Sequence, residues 1–121
     1  MRYGLIMAGG SGTRLWPMSC ADEPKQLIPF ISGRSLLQVA ADRLEGLIDQ
    51  PQRLICTGER FRTPICNAMP AMSDDQIFGE PEGRDTLAAV GFPAAVLIQS
   101  DPDAVIAVFT ADHLIEPQDV F

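Results

Sequence analysis

The sequence predicts an α/β fold, a mostly parallel sheet flanked by helices, and three observations lead there. Apolar runs of strand length alternate with stretches of helical periodicity along the 121 residues. The first run, residues 3–7, is apolar throughout, as a strand buried on both faces must be. Three of the runs end in loops bearing Gly, Asp or Glu, at residues 8–25, 79–86 and 110–113. In an open parallel sheet the carboxyl ends of the strands share one edge, and ligands bind there. These three loops are therefore expected to converge, although they are far apart in the chain.

Each element has its own signal. After the strand at residues 3–7 and the long loop, residues 27–31 read as a short extended piece before a Ser32-Gly33 turn. Ser35-x-x-Gln38 is a capping box ahead of an apolar run, so a helix opens at Ser35. Leu37, Ala40, Ala41, Leu44, Leu47 and Ile48 recur at helical spacing and form its buried stripe, with Asp42, Arg43 and Glu45 outward. Gly46 weakens the end and Pro51 forbids continuation. Residues 53–56 are the second strand. Thr63-Pro64 reads as an N-cap followed by proline at the first helical position, opening a short helix to about residue 69, with Cys66 and Met69 as core contacts.

Residues 72–75 read as a surface loop, 76–78 as a brief third strand and 79–85 as a second glycine-bearing loop. Asp85 or Thr86 is expected to cap the helix over 87–99. The nearly all-apolar surface of that helix predicts deep burial, and Gly91 with Pro93 predicts a kink or a break. Asp101-Pro102-Asp103 is the turn into a fourth strand, residues 104–109. Neither an internal repeat nor a linker interrupts the pattern.

Composition narrows the function. With 46% hydrophobic and 21% charged residues the chain is a globular domain rather than a disordered one. A formal charge of −7 argues against nucleic acid or an anionic membrane as partner. The charge is uneven: in residues 1–40, Arg2, Arg14, Lys25 and Arg34 face only Asp22 and Glu23, leaving +2 there and −9 beyond. Cys20, Cys56 and Cys66 share no C-x-x-C spacing and read as reduced thiols, not as a metal cluster. No secretory signal precedes the first strand, and the longest uncharged apolar stretch, residues 87–98, is too short to span a bilayer. A cytoplasmic location is expected.

The basic end is also the glycine-rich end. Residues 7–25 read MAGGSGTRLWPMSCADEPK. Gly9, Gly10 and Gly12 lack the Cβ that would keep backbone N–H groups away from an anion, Ser11 and Thr13 add hydroxyls, and Arg14 and Lys25 add fixed positive charge. A triphosphate suits such a loop. It is not a P-loop, since no Lys follows the glycines, nor a dinucleotide fingerprint, since the third glycine of G-x-G-x-x-G is missing.

The run G-G-x-G-T-R-L-x-P with a following P-K-Q resembles the sugar-1-phosphate nucleotidyltransferases. Trp16-Pro17 and Pro24-Lys25-Gln26-Leu27 look most like the branch that transfers guanylyl to mannose 1-phosphate. Residues 80–86, EPEGRDT, resemble the family's E-P-x-G-R-N-T, with Asp85 in place of Asn. Residues 110–115, TADHLI, resemble P-A-D-H-x-I, with Thr110 in place of Pro.

The resemblance implies a Rossmann-like sheet of the nucleotide-diphospho-sugar transferase type, C-terminally incomplete here, with residues 1–121 as its N-terminal, nucleotide-binding portion. It implies the reaction of GTP with mannose 1-phosphate to give GDP-mannose and pyrophosphate. Ala8, Gly9, Gly10, Ser11, Gly12 and Thr13 would cradle the triphosphate, and Glu80, Gly83, Arg84 and Asp85 would meet base and ribose. Arg14 and Lys25 would be catalytic, and Asp112 would hold Mg²⁺. His113, Cys20 and Trp16 read as packing beside the site. An exposed sheet edge in such a portion would invite self-association into a homo-oligomer. Two alternatives stand: a sibling enzyme using UTP, dTTP or ATP, and a nucleotide-binding regulatory module without turnover.

Overall fold

The computed structural model describes residues 1–9, 29–31, 34–81 and 85–111. Strand β1 (Arg2–Met7) lies inside a four-stranded sheet of order β5-β4-β1-β6, with β4 at Arg53–Gly58, β5 at Ile77–Glu80 and β6 at Val105–Thr110. Every pairing in it is parallel. A two-stranded antiparallel pair, β2 (Pro29–Ile31) and β3 (Arg34–Ser35), leads into helix α1 (Leu36–Arg43). Helices α2 (Arg62–Ala68) and α3 (Asp85–Ser100) make the other crossovers. The expected parallel α/β architecture is what forms.

Alternation along the strands divides the core into two layers. Ile6, Ile55 and Ile77 point to one face, where Leu37, Ala40 and Leu44 of the α1 segment and Phe61 and Ile65 around α2 complete the cluster. Their neighbours Leu5, Leu54, Cys56 and Phe78 point to the other, against Ala89 and Leu97 of α3. Leu5 and Ile6 are adjacent, both buried, and belong to different clusters. That is why the first run contains no polar residue at either parity.

Local chemistry accounts for the ends of α1. Ser35 Oγ accepts from the Gln38 N–H at 3.2 Å while Gln38 Oε1 accepts from the Ser35 N–H at 2.9 Å, a complete capping box. The helix stops at Arg43, and Gly46 takes a φ of 81°, a conformation that costs glycine little. The buried stripe therefore ends at Leu44: Leu47 is exposed, whereas Ile48 still packs on the core. Arg43, expected outward, is buried. It lies three residues after Ala40 and so shares that helix face, and burial lowers its pKa from the ordinary value.

Three other expectations change. Helix α2 begins at Arg62, after a 3-10 turn at Glu59–Phe61, so Thr63 and Pro64 occupy its first turn and Phe61 is the cap residue. Proline is tolerated there because first-turn N–H groups have no intrahelical partner. Cys66 and Met69 do pack against the core as expected. Within the loop at 72–75, Ser73 and Gln76 form a second capping box around a 3-10 turn, and Met72 packs inward.

Helix α3 is one continuous 16-residue helix with Pro93 inside it, not two pieces. Nor is it deeply buried. Pro93 and Leu97 are covered, but Leu87 is 87% exposed and Phe92, Val96 and Ile98 are exposed too. One helix on one sheet face can cover a single stripe only, and the opposite side of α3 meets no other element among the described residues. The edge strand β6 likewise exposes Val105 and Val108. No helix among the described residues is long and apolar enough to cross a membrane.

Ser35→Ala removes one arm of the box that starts α1 and is expected to cost about 1 kcal/mol of unfolding free energy. Urea denaturation measures it. An unchanged midpoint would mean that burial of Leu37, Ala40 and Leu44 alone fixes the start of this helix.

Candidate active site at the carboxyl edge of the sheet

Four strand ends meet at one edge: Met7, Gly58, Glu80 and Thr110. The last register pairs are Met7↔Cys56, Met7↔Thr110 and Gly58↔Glu80, so β1 and β6 end level, and β4 and β5 end level with each other two residues further on. Beyond β1 the chain is clamped from both sides. The Ala8 N–H donates to the Cys56 carbonyl at 2.8 Å, and the Ala111 N–H donates to the Met7 carbonyl at 3.3 Å. The buried Thr57 hydroxyl donates to the Ala8 carbonyl at 2.8 Å. Ala8 and Ala111 are both buried, whereas Gly9 is exposed.

The expected convergence of loops is thus present at its roots. Ala8 and Gly9 open the glycine-rich loop, and Ala111, the residue before Asp112, is bonded to the same strand end. Glu80 opens the second loop two strands away, a lateral distance of about 10 Å at the usual strand spacing. Gly10, Ser11, Gly12, Thr13, Arg14, Lys25, Gly83, Arg84 and Asp112 lie outside the described residues. Helix α3 starts at Asp85, so Asp85 and Thr86 sit in its first turn instead of capping it.

Gly9 refines the reading of the glycines. Among the described residues only Gly46 is a glycine with positive φ, and nothing lies within 4 Å of where a Gly9 Cβ would stand. The backbone does not demand glycine at this position. What glycine leaves there is open space at the edge.

Sequence reasoning passed over the end of β4, although the apolar run 54–56 followed by Thr57-Gly58 is itself a strand-to-loop signal. Cys56 and Glu80 project from the same sheet face, and Cys56 Sγ lies 3.8 Å from Glu80 Oε1 as a weak donor. Burial, then the Glu80 charge and this hydrogen bond, push the Cys56 thiol up to about 12.

On the other face, a Cβ at Gly79 would overlap the Glu59 carboxylate and come within 3.1 Å of the Glu59 Cα. Glycine is what admits Glu59 over β5. Arg62 holds that carboxylate at 3.1 and 3.2 Å and reaches Asp74 Oδ1 at 3.1 Å. Both edge carboxylates thus have partners, and among the described residues no group of three His, Cys, Asp or Glu could hold a metal ion. A cavity of about 120 Å³ lined by Ile6, Ala41, Glu45, Arg53 and Met72 lies beside the start of β4, away from this edge.

The family model for nucleotidyl transferases matches residues 3–120. Mannose-1-phosphate guanylyltransferases of Klebsiella pneumoniae and Escherichia coli are each 36% identical over 123 residues, which cover 100% of this chain and 26% of theirs. The chain therefore spans about a quarter of the length of these curated relatives. A solved structure from Thermus thermophilus, described as a mannose-1-phosphate geranyltransferase, superposes with a TM-score of 0.86 at 30% identity, over 98% of this chain and 34% of that one. A Bacillus anthracis protein described as a putative glucose-1-phosphate thymidylyltransferase shares the fold, with a TM-score of 0.63 at 19% identity, over 89% of this chain and 44% of its own.

The buried Cys56 thiol is expected to resist iodoacetamide in the native protein at pH 8 and to react on unfolding, as peptide mass spectrometry would show. The linkage has a definite sign. An unfolded thiol ionises near 9 and the folded one near 12, so this group's contribution to stability is full below pH 9 and is lost between pH 9 and 12. Rapid native labelling of Cys56 would contradict the burial and its charge environment.

Proposed function

The chain belongs to the nucleotidyl transferase family, and from that premise we propose that it carries the nucleotide-binding part of an enzyme making GDP-mannose and pyrophosphate from GTP and mannose 1-phosphate. The observation that carries the reading is the double clamp on the exit of β1. It sets the root of the glycine-rich loop beside Ala111, one residue before Asp112, at an edge where α/β sheets take ligands. The identity to guanylyltransferases acting on mannose 1-phosphate supports the choice of base and sugar.

In this reading a phosphate oxygen of mannose 1-phosphate attacks the α-phosphorus of GTP. The bond from that phosphorus to the bridging oxygen breaks in line, and pyrophosphate leaves. The protein's part is positioning and charge. Backbone N–H groups of residues 9–13 cradle the triphosphate, Arg14 holds the departing pyrophosphate, and Lys25 offsets charge on the reacting phosphates. Glu80, Gly83, Arg84 and Asp85 face the nucleoside.

By the family resemblance Asp112, the residue after the strand-bonded Ala111, is the hard oxygen ligand that would hold Mg²⁺. Mg²⁺, when bound, would offset triphosphate charge. Cys56 and Cys66 are free thiols, which suits a reducing cytoplasm.

GTP should protect the protein against thermal unfolding more than ATP, UTP or CTP at equal concentration. At about 100 times its dissociation constant the gain is about 2.7 kcal/mol. Equal protection by all four would remove the guanine assignment and leave phosphate recognition alone. Lys25→Ala should lower kcat on the order of 10²–10³-fold, with a smaller change in GTP affinity. Steady-state kinetics beside calorimetric titration separates the two. Normal turnover in that variant would make the Pro24-Lys25 segment a surface feature.

A further inference from the structure

We infer that Thr57 is a positioning residue for the glycine-rich loop, fixing the direction in which the first backbone donor of that loop points. The inference rests on the reading that this loop binds the triphosphate, and it adds a residue that no loop motif contains. Thr57 lies on β4, is fully buried, and faces the same layer as Ile55. Its hydroxyl spans 49 positions of sequence to the Ala8 carbonyl, at 2.8 Å. The register of β1 on β4 ends at Met7↔Cys56, and the Ala8 N–H makes one further bond, to the Cys56 carbonyl. The hydroxyl takes the acceptor just past this point, where the chain leaves the sheet.

The consequence follows from peptide geometry. The Ala8 carbonyl and the Gly9 N–H belong to one planar trans unit and point in opposite directions. A hydroxyl that fixes the carbonyl therefore also fixes the N–H. With the Ala8 N–H tied to Cys56, the residue is held at both of its peptide groups, one through the β4 backbone and one through a β4 side chain. A buried hydroxyl must find a partner or cost free energy. Here the partner is the root of the loop and not a carbonyl of its own strand.

Thr57→Val keeps the branched shape and removes the donor, whereas Thr57→Ser keeps the donor and removes a methyl. The protein and both variants are titrated calorimetrically with GTP and melted without it. Thr57→Val is expected to bind GTP about fivefold more weakly, the scale of one buried hydrogen bond. Thr57→Ser should bind within about twofold of wild type while melting lower, because the lost methyl leaves a small cavity. Affinity and stability then move apart, which a purely structural residue would not produce. Wild-type affinity in Thr57→Val overturns the positioning role and leaves the functional reading standing. So does an equal loss in both variants, since packing and not the hydroxyl would then matter. If wild type takes no GTP, the reading of the edge fails and the role fails with it. Should Thr57→Val not fold, Thr57→Ala beside Thr57→Ser poses the same contrast.

Discussion

Backbone hydrogen bonding on both sides of β1 is the constraint from which the rest of this structure follows. One side of the strand pairs with β4 and the other with β6, in level register up to Met7. A strand held this way has no edge to solvate and must present apolar side chains to both layers, which Leu5 and Ile6 do. Parallel pairing then requires crossovers, and the crossovers bring α1 and α2 onto one face and α3 onto the other. It also forces the strand to release its chain at the same edge as its neighbours. The glycine-rich loop begins at that edge because β1 has no other exit.

Charge is distributed to match. The described edge holds two carboxylates, each already engaged: Glu80 with the Cys56 thiol and Glu59 with Arg62. The positive charge that the proposed triphosphate would need is instead concentrated in the sequence of residues 1–40, the segment with net charge +2 in an otherwise acidic chain. Under the proposed function the sheet would fix where the glycine-rich loop starts, and Arg14 and Lys25 of the same segment would supply the cationic groups. The same division leaves an apolar flank. Leu87, Phe92, Val96 and Ile98 on α3 and Val105 and Val108 on β6 are the part of the core that these elements do not close.

Much of the fold was legible in the residues because the signals were local. The capping box at Ser35 and Gln38, the apolar runs of β1 and β4, and the turn before β6 each depend on a few neighbours. What escaped depended on tertiary partners. The burial of α3 could not be read from its apolarity, since nothing in residues 85–100 says how many elements will cover it. Arg43 looked outward because it is charged, yet the geometry of the helix places it with Ala40. At the site, Ala8, Gly9 and Glu80 were found by motif and do stand at the edge. Thr57 and Cys56 were not, because a hydroxyl reaching 49 residues back and a thiol facing a carboxylate leave no pattern in the sequence.

Backbone amide chemical shifts during titration with GTP test the central claim most directly. The account predicts the largest changes among described residues at Ala8, Gly9, Glu80 and Ala111, with Arg2, Arg53, Ile77 and Val105 at the opposite strand ends unmoved. Changes centred instead on Ala41, Glu45, Arg53 and Met72, around the cavity beside the start of β4, would contradict it and move the nucleotide away from the carboxyl edge.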